Sequence, residues 1–315
     1  MNKKKLIVID AYNVFMKHYA ANPSIDKNGN HVGGLVGFIN EFRRVVDQVF
    51  PQKIIVVWEG GGAIRKRALY PDYKKGKKPK KMNRFYEEIP DTLENCNDQI
   101  VNLVNLLKFF PLCQVYVDNC EADDVIAYIC RNMYNDYKKV VYSSDKDYYQ
   151  LLSEDIMIYS PTSKKWINKE YVLEKFHVSA DNFLSARCFI GDKSDNIPGI
   201  SGVGFKTLSK RIPELKNEGF ISVSEIQEKV GLIKSSIKIK TNILKNKKIP
   251  IINWKLMNLD INNLSSRQIS KVEKVLEMCD PKPNKISIMR FFNKLGISNV
   301  DVNSLFTSLN FSLRG

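Results

Sequence analysis

An α/β fold, with a mostly parallel central sheet flanked by helices, is predicted by three observations. Apolar runs of strand length recur through the first half of the chain, segments of helical period stand between them, and the runs are near-continuous in Val and Ile. Strands alternating with helices imply a parallel sheet, and unbroken apolar strands imply cover on both faces.

The first strand is "KLIVID", which ends in Asp10. Basic residues precede it, but the apolar run is short and stops at an acid, so it reads as a strand and not as a signal peptide. A helix over 33–50 comes next, then the strand "KIIVVWE", ending in Glu59. Residues 64–88 hold ten Lys/Arg and one acid before Glu87, with Tyr70, Tyr73, Phe85 and Tyr86 interleaved. A charge run is usually a solvated segment. This one is internal, begins at a strand end and carries aromatics able to stack on bases, so it reads as a mobile nucleic-acid clamp. A helix over 92–110 leads to the short strand "QVYVD", ending in Asp118, and a helix over 121–134 opens on Glu121, Asp123 and Asp124. The strand "KKVVYSSDKD" closes the series with Asp145 and Asp147.

In such sheets ligands bind beyond the carboxyl ends of the strands. Asp10, Glu59, Asp118, Glu121 to Asp124, Asp145 and Asp147 would all lie at that edge. Acids in a first helical turn are often caps, but four strand ends gathering acids on one rim call for a cation. The three histidines, His18, His31 and His177, stand at unrelated places, and no thiolate cluster exists, which disfavours zinc. An all-carboxylate set suits Mg²⁺ or Mn²⁺, and more carboxylates than one ion needs suggests two ions, an arrangement suited to phosphodiester hydrolysis.

From about residue 160 strands become rare. "GDKSDNIPGISGVGFKTLSKRI", residues 191–212, contributes Asp192 and Asp195 as ligands for the second ion; alone they would read as an Asx turn before Pro198. Its second part is a glycine turn at Gly202 and Gly204 entering a helix with Lys206, Thr207, Lys210 and Arg211, a place for a phosphate on free N–H groups. The C-terminal third is helical in period with no legible chemistry. The net charge of +15 favours a polyanionic partner, nucleic acid above lipid, since no amphipathic anchor appears. No apolar run approaches the ~20 residues of a membrane span, and the six cysteines lack metal-ligand spacing. The chain reads as a soluble cytoplasmic protein with reduced thiols.

The order of the parts carries more. Asp-x-x-Asn after the first strand, an acid after the second followed by R-x-L-Y-P-x-Y-K, then E-A-D-D, S-S-D-x-D-x-x-Q-L and G-D-x-S-D-N-I-P-G-I-x-G-x-G resemble the 5′-nuclease (flap endonuclease) superfamily over residues 5–212. "YSPTSKKWI" and "PKPNKISIMRFFNKLGI" look most like the ribonucleases H of T-even-type bacteriophages, which belong to that superfamily. The resemblance implies a 5′-3′ exonuclease and flap endonuclease acting on DNA or RNA–DNA in replication, for example in primer removal. It implies a first Mg²⁺ at Asp10, Glu59, Asp124 and Asp145, with Mn²⁺ as a substitute, and a second at Asp147, Asp192 and Asp195. Glu121 and Asp123 would act through water. Lys74 and Arg67 would contact the scissile phosphate at the base of a helical arch, with Arg65, Lys66, Tyr73, Lys75 and Lys77 on the same nucleic-acid face. In some relatives the glycine turn also binds K⁺. Glu59 departs from the Asp common in relatives, which puts direct ligation there in doubt.

The implied organisation is a catalytic α/β domain over 1–178 with a basic arch at about 64–90, a helical DNA-binding region over 179–250 with its turn at 199–207, and a C-terminal helical region over 251–315. Expected partners are DNA with 5′ ends, flaps or RNA primers, with a single-strand-binding protein or sliding clamp as candidate protein partners of a monomer. Two other readings stand beside it. A PIN-type ribonuclease cutting single-stranded RNA would lack the glycine turn, and a non-catalytic nucleic-acid-binding module would not need every acid.

Overall fold

The computed structural model describes residues 3–76, 93–234 and 238–312. Six strands form one sheet: β1 (Lys4–Asp10), β2 (Lys53–Trp58), β3 (Cys113–Tyr116), β4 (Tyr137–Tyr142), β5 (Ile156–Ser160) and β6 (Lys165–Ile167). Their order is β3-β2-β1-β4-β5-β6, with the first five parallel and β6 antiparallel to β5. The chain builds outward from β1 to β3, then returns to the other side of β1 with β4. That reversal opens a crevice at the carboxyl ends of β1 and β4, where an α/β sheet takes its ligands.

Helices α1 (Ala11–Ala21), α2 (Gly33–Val49), α3 (Ala63–Leu69), α4 (Leu93–Leu107) and α5 (Ala122–Asn132) link the strands, and α6 (Lys169–Phe176) comes after β6. Alternate residues of one strand feed two cores. Leu6, Val8, Ile55 and Val57 pack with α5 through Val125, Ile126 and Ile129. Ile7, Ile9, Ile54 and Val56 pack with α1, α2 and α4 through Phe15, Phe38, Phe42, Leu103 and Leu106. The sheet is covered on both faces, as the unbroken apolar strands predict.

The remaining helices divide between these faces. α7 (Ala180–Ile190), α8 (Phe205–Arg211), α9 (Val223–Leu232), α10 (Lys238–Lys245), α11 (Lys248–Met257) and α12 (Ser266–Glu277) extend the α5 core. α13 (Lys285–Lys294) and α14 (Val302–Ser312) cross to the other face, where Ile288, Phe292, Leu305 and Leu309 join the core of α2. A disulfide between Cys113 of β3 and Cys279, just beyond α12, ties the sheet edge to this C-terminal part. This corrects the expectation of six reduced thiols; Cys96, Cys120, Cys130 and Cys188 are free and buried. A separation of 166 residues leaves no spacing signal for the pair.

Candidate metal centre and nucleic-acid interface

Several strands and loops deliver an acid because the residue at which they stop caps the next helix or turn. Asp10 ends β1 and accepts from Asn13 N–H at 3.2 Å, starting α1. Asp145, beyond β4, accepts from Asp147 N–H at 2.9 Å, starting a 3₁₀ turn over Lys146–Leu151. Asp192 accepts from Ser194 N–H at 2.8 Å in the same way. Capping and convergence are therefore both true of these residues.

The acids meet around two joined cavities at the crevice. One, of about 490 Å³, is lined by Asp10, Glu59, Glu121, Asp123 and Asp145 together with Tyr12, Arg67 and Lys74. The other, of about 460 Å³, is lined by Asp192, Lys146, Arg187 and Lys193, and shares Asn13 and Asp145 with the first. Asp10 is buried and accepts from Ser143 Oγ at 3.0 Å and Tyr148 OH at 3.1 Å. Burial pushes its carboxyl up to about 7 against these hydrogen bonds. Glu59 is exposed at the rim and accepts from Ala122 N–H at 3.3 Å.

Glu121, Asp123 and Asp124 present carboxylate oxygens within 4.8 Å of one another. Their partners differ. Both oxygens of Glu121 are engaged, one by buried Lys66 and one by Lys74 Nζ at 2.6 Å, and Tyr73 OH donates to it at 3.2 Å. Burial alone would raise Glu121, but Lys66 and Lys74 outweigh it and hold it down to about 2. Asp123 faces the cavity with Lys66 Nζ at 3.5 Å. Asp124, expected as a direct ligand, is buried beside them and accepts from Asn263 Nδ2 at 2.5 Å; burial and Asp123 push it up to about 7.

In the second cavity Arg187 is a resident counter-charge. Its guanidinium lies 3.2 Å from Asp147 and 2.6 Å from Asp192, and burial, then Asp145, push Asp147 well up. Asp147 Oδ1 is buried with this ion pair to Arg187 and no hydrogen bond of good geometry among the described residues. Asp195 is half-buried, and its carbonyl accepts from Lys74 N–H at 3.0 Å. Lys74 holds a positive φ of 54°, unusual for a residue with a Cβ, and this contact supports it. Asn196 Nδ2 adds a bond to Asp72 O at 3.2 Å, so the base of the basic segment is fastened to the Asp192–Asn196 loop.

Of the expected nucleic-acid residues, Arg65, Arg67, Lys75, Lys206, Thr207 and Lys210 are exposed and Lys74 is half-buried. Two differ from expectation: Lys66 and Tyr73 are each 2% exposed and turn inward onto Glu121. The pattern of the basic run hid this, because one ammonium stabilises two acids that come from another element. Lys77 and most of the basic arch lie outside the described residues. Gly202, at φ 79°, and Gly204 form an open turn where an added Cβ would meet nothing within 4 Å, before α8. Sequence reasoning carried Asn13 and Ser143 inside its motifs without giving them a role, and it missed Tyr148, Arg187 and Asn263, whose roles depend on distant partners. The donor set contains carboxylates and no histidine or thiolate, which fits hard divalent cations.

A sequence profile of the family described as 5′-3′ exonuclease, N-terminal resolvase-like domain, matches residues 5–177. A 5′-3′ exonuclease of Aquifex aeolicus is 32% identical over 206 residues, 65% of this chain and 67% of that one. DNA polymerase I of Caldicellulosiruptor bescii is 26% identical over 314 residues, 94% of this chain but 34% of the polymerase, so the chain spans about a third of that relative. Among solved structures, T5 5′-exonuclease with divalent zinc ions bound aligns with a TM-score of 0.70 at 21% identity, covering 87% of this chain and 99% of that one. The catalytic core of Rad2 in complex with DNA substrate aligns at 0.56 and 12% identity, covering 98% and 92%. The shared architecture is the parallel-dominant sheet with helical flanks and a helical C-terminal region.

Proposed function

The chain belongs to the 5′-3′ exonuclease family, and on that premise we propose that it is a divalent-metal-dependent 5′ nuclease, exonucleolytic at 5′ ends and endonucleolytic at flaps, acting on DNA or RNA–DNA in replication. The observation that carries the reading is the convergence of Asp10, Glu59, Asp123 and Asp145 on one cavity that also holds Arg67 and Lys74.

Asp10, Glu59, Asp124 and Asp145 would hold one ion, with Glu121 and Asp123 beside them in the same acidic shell. Asp147, Asp192 and Asp195 would hold the second. Mg²⁺, or Mn²⁺ in its place, supplies when bound a water of lowered pKa and charge stabilisation for in-line displacement at phosphorus. The chain's own groups do the positioning. Lys74, held by Glu121 and by its backbone bond to Asp195, points its ammonium into the cavity, where it and Arg67 offset charge developing on the phosphate oxygens. Arg187 keeps Asp147 and Asp192 from repelling each other before substrate arrives. The exposed turn at Gly202 and Gly204, with Lys206 and Lys210, would grip the duplex backbone and offer carbonyls to K⁺.

The test is Asp145→Asn on a 5′-labelled flap DNA, with single-stranded RNA of equal length alongside. Cleavage of the flap should vanish while flap binding in Ca²⁺ persists; retained cleavage refutes the assignment. Preferential cutting of the RNA would instead favour a PIN-type ribonuclease.

A further inference from the structure

Asn263 lies at the end of a 3₁₀ turn over Ile261–Asn263, far outside the 5–177 stretch that carries the family pattern. Its side-chain amide donates to Asp124 Oδ1 at 2.5 Å and to Asn258 O at 2.8 Å. Residues around it are fastened to the metal centre from several directions. Leu259 N–H donates to Gln150 Oε1 at 3.0 Å, and Gln150 Nε2 donates to Met257 O at 3.0 Å and to Asp147 O at 2.8 Å. Arg131, at the end of α5, donates to Gln150 O at 3.1 Å and to Leu259 O. Beyond Asn263, Gln268 Nε2 donates to Asp118 O at 3.2 Å, Lys271 pairs with Asp118 at 2.7 Å, and Glu273 accepts from Tyr128 OH of α5 at 2.6 Å.

We propose that Asn263 is a positioning residue for the metal centre: it fixes one oxygen of Asp124 so that the other is aimed at the cation, and residues 257–279 are the brace that holds it there. A carboxylate with one oxygen bound to an amide donor keeps a single orientation, and such supporting donors typically contribute 10–100-fold to metal affinity. Without the donor, Asp124 rotates in a buried site already crowded by Asp123, and the ion loses an aligned ligand. The inference rests on the metal reading proposed above.

The experiment measures Mn²⁺ binding to the full chain by electron paramagnetic resonance of the free ion, with no nucleic acid present, alongside thermal melting in EDTA. Asn263→Ala should weaken Mn²⁺ binding about 10–100-fold and leave the melt close to wild type. Asn262→Ala, in the same turn but bonded to Asp260, should change neither. Affinity within twofold of wild type for Asn263→Ala overturns the proposal. If that variant does not fold, the wild-type chain answers instead: the Asn263 side-chain amide resonances should move on titration with diamagnetic Mg²⁺, and silence there overturns the proposal equally. Asp145→Asn separates the two levels. If it too leaves Mn²⁺ binding intact, the metal reading fails and takes this inference with it; if it abolishes binding while Asn263→Ala does not, only the positioning role fails.

Discussion

Lys66→Met separates an internal counter-charge from a nucleic-acid contact. Methionine keeps most of the apolar stem and removes the ammonium. Lys66 and Glu121 are each 3% exposed at the side chain, so the change leaves Glu121 with Lys74 and Tyr73 alone. Breaking one partner of a buried pair costs ~3–5 kcal/mol, and Lys74 keeps the cost at the lower end, about 3. Unfolding entropy of ~2.1 cal/mol/K per residue gives about 0.7 kcal/mol/K over this chain, so the melting temperature should fall by roughly 4–5 °C. The assay is a thermal melt in EDTA, then flap-DNA affinity as a function of salt in Ca²⁺. Adding Glu121→Gln should restore most of the loss, because removing both charges of a buried pair costs far less than removing one. A melt equal to wild type, with a salt slope shallower by about 0.9, would refute the buried role and return Lys66 to the nucleic-acid face.

Three further outcomes are expected. Gly202→Ala should cost about 1 kcal/mol in denaturant melts and weaken duplex binding, because φ 79° strains any Cβ, whereas Gly204→Ala, with ordinary backbone and open space, should be nearly neutral. His18 is held down to about 3 by burial and then by Lys17 and Arg44, so the unfolded chain takes its proton first. Stability should therefore fall as pH drops below the ordinary histidine value near 6.5, and His18→Gln should flatten that limb in melts between pH 6.5 and 4. Alkylation of the denatured, unreduced protein should label four of the six cysteines; six labelled would contradict the Cys113–Cys279 bridge.

The sheet and its acidic rim were legible because both are local signals. Val/Ile runs ending in Asp10, Glu59 and Asp145 carry strand, terminus and carboxylate in a few consecutive residues. The glycine turn was legible for the same reason. The features that escaped depend on pairs far apart in the chain. Nothing in "IRKRALYP" distinguishes Lys66 from Arg65 or Arg67, since its inward direction is set by the face of α3 that meets Glu121. Arg187 and Asn263 sit in ordinary helical or turn sequence and acquire roles only when α7 and the Ile261–Asn263 turn dock on the metal centre. The division of the C-terminal helices between both faces of the sheet was equally hidden, because amphipathic periodicity reports that a face is buried and not against what.

That division has a consequence for how the molecule comes into being. The apolar face of α2, partly covered by α1 and α4, is finished by Leu305 and Leu309, so a nascent chain carries that last patch uncovered until α14, far downstream, has been made. Asp124 likewise waits for Asn263. Fragments that stop after the α/β core would leave this patch of α2 open and should stick to one another.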